Sequence, residues 1–256
     1  MHLSSPVDDL RTKFVGQSTL HYPVTTSTMD VARRAVVDGA REGTIVIADQ
    51  QTAGRGRLGR KWLSHPDNSI LVSVIVYPEL EHLYQLNMAA ALAVAQSIER
   101  FTGLKPVIKW PNDILIEGKK VSGVLIESDI QGEHVKSAII GIGINVNLDT
   151  STIPDISGTA TSLKETVGRE VSRPNMLVHL LCEFENVYQE LRLGAAIRKE
   201  WERRLETIGK QVLVKRGEIL LEGCAESVNS EGSLLLRCAD GSLTTVTAGD
   251  VTVKRS

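Results

Sequence analysis

Three features of the 256-residue sequence predict an α+β fold: a mixed, mostly antiparallel sheet flanked by helices, with a small β-barrel at the carboxy-terminal end. First, β-branched and apolar runs follow one another across residues 107–147 with only short turns between them, and short connections favour antiparallel pairing. Second, segments of helical period flank that strand-rich centre, at 28–39, 83–102 and 174–207. Third, the texture changes at Gly209, where short strands broken by glycine turns succeed one another to the end of the chain, the pattern of a small barrel. The expected division is 1–207 for the main body and 208–256 for the barrel.

The first element, "TLHYPVTTS" (19–27), is a short strand ending in cap residues. In "TMDVARRAVVDGA", Met29, Ala32, Ala35 and Val36 share one helical face and Gly39 is a stop signal. "TIVIADQ" (44–50) and "SILVSVIVYP" (69–78) are β-branched strands, the second closed by Pro78. Residues 83–102 form one long helix whose Ala- and Leu-rich stretch belongs deep in the core, and Gly103 ends it. "VIKWPND", "ILIEGKKVSGVLIES" and "HVKSAIIGIGINVNL" then supply three or four adjacent strands, with turns at Glu117-Gly118 and at "DIQGEH". A loop carrying Pro154 and Gly158 precedes two helices, at 174–193 and 195–207.

Composition narrows the function classes. Hydrophobic residues at 42% and charged residues at 23% suit a soluble globular enzyme or binding protein. The formal net charge of −2 gives no global basic field, so a general nucleic-acid binder is not expected. No apolar run is long enough to span a bilayer, and "MHLSSPVDDLRTKF" has no cationic start followed by an apolar core, so neither a membrane span nor a secretory leader is expected. Cys182, Cys224 and Cys238 form no CxxC pair, and the six histidines show no HxxxH or HExxH spacing. These spacings predict inert thiols in a reducing cytoplasm and no zinc site.

"IADQQTAGRGRLGRKWLS" (47–64) carries G-x-G-x-x-G at Gly54, Gly56 and Gly59 directly after a strand. A dinucleotide fingerprint requires a helix next, so that the pyrophosphate meets its N-terminus. Here Pro66 and the Asp67-Asn68-Ser69 cluster give loop, turn and strand instead, and the fingerprint fails. What remains is a glycine-hinged loop in which Arg55, Arg57 and Arg60 offer planar, permanently charged forks to phosphate or carboxylate. Alone, it reads as well as a solvated basic turn as it does as an active-site cover, floppy when empty and ordered by an anionic ligand.

Three further stretches stand out. In "VIKWPNDILIEGKKVSGVLIES", Pro111 biases Trp110 to an extended conformation. Asn112 and Asp113 suit backbone, ligand or Mg²⁺ contacts, Lys120 lies at a turn, and Gly123 within a strand marks a close approach. "IIGIGINVN" places Gly141 and Gly143 in an apolar strand, for a bulge, tight packing or a ligand, and ends in Asn145 and Asn147. In "TTSTMD", Ser27 is a good N-cap, and its hydroxyl is equally suited to a polar ligand group at the helix start.

In this order and spacing, "GRGRLGRKW", "KWPND", "KKVSGVLIE" and "GIGINVN" resemble the biotin–protein ligases, and the resemblance runs from about Thr25 to Asn147. It implies a class II synthetase-like sheet with an SH3-like barrel, and an ATP-dependent, AMP-forming ligase. In that family biotin and ATP give biotinyl-5′-AMP and pyrophosphate. A lysine of a biotin carboxyl carrier protein or domain, such as that of acetyl-CoA carboxylase, then takes the biotin. Mg²⁺ would arrive with ATP rather than in a protein metal cage. By resemblance, biotin would be held by Ser27, Thr28, Gln51, Arg55, Gly56, Arg57, Lys120 and Gly123. ATP would be held by Arg57, Arg60, Trp62, Lys109, Asn112, Lys120 and Asn145. Catalysis would rest on Lys120, Arg57 and Asp113. Met29 stands where the family commonly has Asn, which removes one side-chain hydrogen bond from the biotin end.

Some bacterial members also carry an N-terminal winged helix-turn-helix. Only residues 1–18 precede the first strand here, so the expectation is a ligase without DNA binding, with homodimerisation left open. Two rivals share some of these features. A lipoate–protein ligase has the same adenylation chemistry but lacks the KWPND block. A non-enzymatic nucleic-acid-binding module would use the basic loop and barrel, against which stand the near-neutral charge and an aromatic content of only 4%.

Overall fold

The structure is a computed structural model describing residues 10–254, so part of the stretch expected to lack a leader lies outside the described residues. β1 (Thr19–Thr25), α1 (Thr28–Val37) and β2 (Ile45–Gln51) form a β-α-β unit with the two strands parallel. β3 (Ser69–Val76) runs antiparallel to β2 and also to β7 (His134–Asn145). β4 (Val107–Lys109), β5 (Asp113–Ile116) and β6 (Lys119–Gln131) complete a seven-stranded sheet in the order β1-β2-β3-β7-β6-β5-β4. The mixed, mostly antiparallel sheet read from the sequence is therefore present. The β5–β6 hairpin closes at the expected pair, Glu117 (φ 51°) and Gly118 (φ 76°), and two positive φ values suit the right-handed twist of paired strands.

Helices cover both faces of the sheet. Residues 80–102 divide into α2 (Leu80–Leu83) and α3 (Leu86–Thr102), a break that the sequence reading did not place. Every residue from Met88 to Ala95 is buried, because short alanine side chains let α3 lie close to its neighbours. α5 (Arg173–Arg192), capped by Ser172 with Pro174 in its first turn, packs beside α3, and α6 (Ile197–Arg203) follows. Ile70, Val72, Val74 and Val76 of β3 face this layer, whereas Ile75 packs with Met29, Val31 and Ala32 of α1. A strand buried on both faces reads as a continuous apolar run, as β3 does. α4 (Leu163–Val167) falls in the stretch read as loop. Its capping box, Ser162 with Glu165, was the signal in the sequence.

The carboxy-terminal unit comprises β8 (Gln211–Arg216), β9 (Ile219–Val228), β10 (Leu234–Arg237), β11 (Leu243–Val246) and β12 (Asp250–Val253). They form a separate antiparallel sheet in the order β11-β10-β9-β8-β12, and among the described residues no ladder joins β11 to β12 to close it. Its inner side chains, including Val212, Val214, Leu234 and Leu236, belong to the same apolar cluster as α3. Trp110 Nε1 donates to the Gly232 carbonyl at 2.8 Å, fastening this sheet to the main body. The Trp110–Pro111 peptide is cis.

Candidate functional site

One cavity lies where the glycine loop, the start of α1, strands β5–β7 and the beginning of β12 meet. Its floor is built from glycine. The β6–β7 ladder sets Gly123 opposite Gly143, and Leu125 opposite Gly141. A Cβ on Gly143 would come within 2.4 Å of the Trp62 indole, and one on Gly141 within 2.8 Å of Met29 Sδ. Both glycines are therefore required by close approach, and no bulge interrupts the ladder at these positions.

The glycine loop is folded back on itself. Trp62 N donates to Gly54 O at 2.9 Å and Gly56 N to Arg60 O at 2.7 Å, around a 3₁₀ turn at Arg57–Gly59. These bonds make the loop a short hairpin that lays Trp62 on the glycine floor. No helix follows it, in keeping with rejection of the dinucleotide reading. Leu58, at φ 55°, holds a left-handed conformation costly for a branched side chain.

At the α1 end, Ser27 accepts from Met29 N at 3.3 Å and also lines the cavity, so the capping and ligand-facing readings are compatible. Gln51 Oε1 accepts from Thr28 N (2.7 Å) and Thr28 Oγ1 (3.1 Å), tying the end of β2 to the helix start. Met29 puts an apolar thioether on the wall, over Gly141.

The cations divide into two sets. Arg55 forks outward to Asp30 (2.6 Å) and Glu127 (3.1 Å), and Arg33 shares both carboxylates. Burial alone would push the Asp30 carboxyl up, but hydrogen bonds and charge from Arg55 and Arg33 hold it below the usual carboxylate range. The Asp30 hydrogen bond in turn raises Arg55 against the effect of burial, with Glu127 adding to it. Arg55 thus touches the cavity, but its guanidinium is committed to protein carboxylates that anchor the loop to α1 and β6.

Arg57, Arg60 and Lys120 face the cavity itself. Arg57 Nη1 donates to Asn112 Oδ1 at 3.0 Å, and Asn112 Nδ2 donates onward to the Val124 carbonyl. Burial lowers the Arg57 guanidinium from its ordinary value; Asp113 and Asp250 pull it back up, and Arg60 pushes it down. A desolvated guanidinium of this kind gains most from an incoming anion. Arg60 pairs with Asp250. Lys120 Nζ lies 2.7 Å from Asp113 Oδ1 and 5.5 Å from the Trp62 ring centroid. Its backbone is pinned on both sides: Lys120 N donates to Thr159 O and Thr161 N to Lys120 O, each at 2.9 Å.

The cavity gathers Ser27, Thr28, Gln51, Arg55, Gly56, Arg57, Arg60, Trp62, Asn112, Asp113, Lys120 and Gly123. Two expected residues lie outside it. Lys109 sits on β4, and the buried Asn145 spends its amide on the Thr161 carbonyl at 3.1 Å, bracing the segment that pins Lys120. Asp250 was missed, since a carboxylate 190 positions from its Arg60 partner leaves no local pattern. Among the described residues, no cluster of three or more His, Cys, Asp or Glu side chains is arranged to hold a metal ion.

The profile of the Biotin/lipoate A/B protein ligase family matches residues 21–145, and that of the Biotin protein ligase C terminal domain matches 207–254. The chain is 39% identical over 237 residues to the Bifunctional ligase/repressor BirA of Bacillus subtilis, covering 91% of this chain and 73% of that protein. It is 31% identical over 200 residues to the Biotin--[acetyl-CoA-carboxylase] ligase of Paracoccus denitrificans, covering 75% and 83% of the respective chains. The biotin protein ligase from Aquifex aeolicus in complex with biotin and ATP superposes with a TM-score of 0.80 at 30% identity, over 94% of this chain and 100% of that one.

Proposed function

The chain belongs to the biotin/lipoate A/B protein ligase family, and from that premise we propose that the cavity beneath the glycine loop is where biotin is adenylated and its adenylate guarded. The chain is a biotin–protein ligase, a carbon–nitrogen bond-forming enzyme that uses ATP. A biotin carboxylate oxygen attacks the α-phosphorus of ATP, the bond to the β-phosphate oxygen breaks, and pyrophosphate leaves. A carrier-domain lysine amine then attacks the acyl carbon of biotinyl-5′-AMP, losing a proton as AMP departs. No enzyme nucleophile takes part, so the protein's work is positioning and charge neutralisation.

The observation that carries the assignment is the convergence of Arg57 and Lys120 on one cavity that Thr28 and Gln51 also line. Ser27, Thr28 and Gln51 take the biotin rings, and Gly123 with Gly143 leaves room for the Trp62 indole against the strands beside its chain. Arg57 and Lys120 meet the carboxylate and α-phosphate, with Arg60 and Asn112 on the phosphate side and Trp62 between the two ligands. Asp113 serves through Lys120, whose ammonium it holds. Mg²⁺ comes bound to the ATP phosphates. Residues 1–207 form the catalytic domain, and 208–256 a small domain contributing Asp250 to the site, a division supported by two separate sheets over a shared core. The acceptor is a carboxylase carrier domain. The cytoplasm is the proposed compartment, supported by three free cysteines; no helix among the described residues is long and apolar enough to cross a membrane.

ATP–pyrophosphate exchange by purified protein with Mg²⁺, run with biotin, with lipoate and with neither, tests the assignment. Exchange with biotin alone is expected. Exchange with lipoate, or none from folded protein, overturns it.

An acyl-adenylate is hydrolysed when water reaches it, so the Arg57-bearing hairpin has a second use as a cover. Arg57→Gly removes the guanidinium bonded to Asn112 and loosens that cover. The expected outcome is severalfold more labelling of bystander lysines by leaked biotinyl-5′-AMP, read by streptavidin blot of an added non-carrier protein. Labelling no greater than wild type, from a variant still making adenylate, contradicts the covering role.

A further inference from the structure

We infer that Ser73, which does not itself reach the cavity, is a positioning residue for the biotin ring system, acting through Thr28. Ser73 lies in the middle of β3, fully buried, where its ladder neighbours are Val46 and Gly141. It is a polar side chain in a strand otherwise apolar from Ile70 to Val76. Strand propensity and packing do not call for a hydroxyl there, and a buried hydroxyl is costly unless it is bonded. Its Oγ donates to Thr28 Oγ1 at 2.8 Å.

Together with the two bonds from Thr28 to Gln51, that bond sets which hydrogen-bonding role each neighbour plays. The Thr28 backbone N–H can only donate, so the Gln51 atom 2.7 Å away is the amide oxygen, and Thr28 Oγ1 donates to the same oxygen at 3.1 Å. The Thr28 hydroxyl proton is thereby committed to Gln51, and one lone pair is committed to Ser73. What remains uncommitted on these two cavity-lining residues is a single Thr28 lone pair, an acceptor, and the Gln51 Nε2 amide, a donor. The pair matches a ligand edge presenting an N–H next to an acceptor oxygen, as a cyclic urea does. Without Ser73 the Thr28 hydroxyl is held by the 3.1 Å bond to Gln51 alone, so the lone pair meant for the ligand N–H is aimed less firmly and the match weakens.

This inference rests on the ligase reading, and the test separates the two. Biotin-dependent exchange by wild-type protein bears on the reading; its absence overturns both. The relay is tested by the cycle of Ser73→Ala, Thr28→Val and the double variant, each measured for kcat and for KM of biotin and of ATP, with Tm alongside. Ser73→Ala is expected to raise the biotin KM about fivefold to tenfold, the size of one hydrogen bond. The ATP KM, kcat and Tm should stay close to wild type. In the Thr28→Val background, Ser73→Ala should have no further effect, because the group it acts through is gone. Three results overturn the proposal: an unchanged biotin KM in Ser73→Ala, a parallel rise in both KM values with a fall in Tm, or additivity with Thr28→Val.

Discussion

Lys120→Ala is expected to lower biotin-dependent pyrophosphate exchange by at least about 100-fold, with the protein remaining folded. The reaction brings a carboxylate against a phosphate, and two unit charges about 4 Å apart at an effective dielectric near 20 repel by roughly 4 kcal/mol. Arg57 meets part of that cost from the loop side, and Lys120 meets it from the β5–β6 turn. The lysine also has a carboxylate partner, Asp113 at 2.7 Å. Its truncation therefore does more than delete a cation: it leaves an unpaired anion facing two anionic ligands. Asp113→Asn is the informative companion. It removes that negative charge while keeping Lys120, so its defect should be much the smaller of the two. Stability should hardly change in Lys120→Ala, because the side chain is partly exposed and its contact is a surface-grade ion pair. The backbone bonds to Thr159 and Thr161 do not depend on the side chain. An exchange rate near wild type would remove Lys120 from catalysis, and an Asp113→Asn defect equal to that of Lys120→Ala would mean that the pair acts as one unit.

How far the sequence could be read follows from the range of each interaction. β3, the β5–β6 hairpin and the strand–helix–strand order of β1, α1 and β2 were legible because their causes are local: a β-branched run, a Glu-Gly turn and a helical period between two strands. The parallel pairing of β1 with β2 was not read. The α2–α3 break was not legible either, since the segment has helical residues throughout and even Tyr84 and Gln85 at the break keep right-handed helical backbone angles. α4 announced itself only through its capping box. Within the site, motif residues were found because each lies in a short stretch of unusual composition. For Arg55 the charge was visible but not the two carboxylates, from α1 and β6, to which it forks. Asn145 reads as a ligand in "GIGINVN", yet a carbonyl sixteen positions on occupies its amide. Asp250 had no local signature at all, and Ser73 only its polarity within an apolar strand, because what gives each its role is contact across the fold, with Arg60 and with Thr28.

Gly143→Ala is the second large effect, and it tests whether the indole of Trp62 rests on the strand floor in the working enzyme. Gly143 is in ordinary extended backbone, so alanine brings no φ strain, and its Cβ would face Trp62. At 2.4 and 2.5 Å from Trp62 Cε2 and Cζ2, that methyl cannot coexist with the ring where it stands. The ring cannot move alone either. Trp62 N is bonded to Gly54 O, and Gly56 to Arg60, so displacing the indole drags the hairpin that carries Arg57 and Arg60. A shift of about 1 Å in a positioning element costs on the order of 100-fold in rate. A comparable loss of exchange is therefore expected, with Tm nearly unchanged, because the clash is relieved into the cavity rather than into the core. The diagnostic is suppression: Gly143→Ala combined with Trp62→Ala should be more active than Gly143→Ala alone, since removing the indole removes the collision and lets the hairpin return. A double variant no better than the single one, or a Gly143→Ala enzyme of normal activity, would mean that the ring leaves the floor when substrates bind.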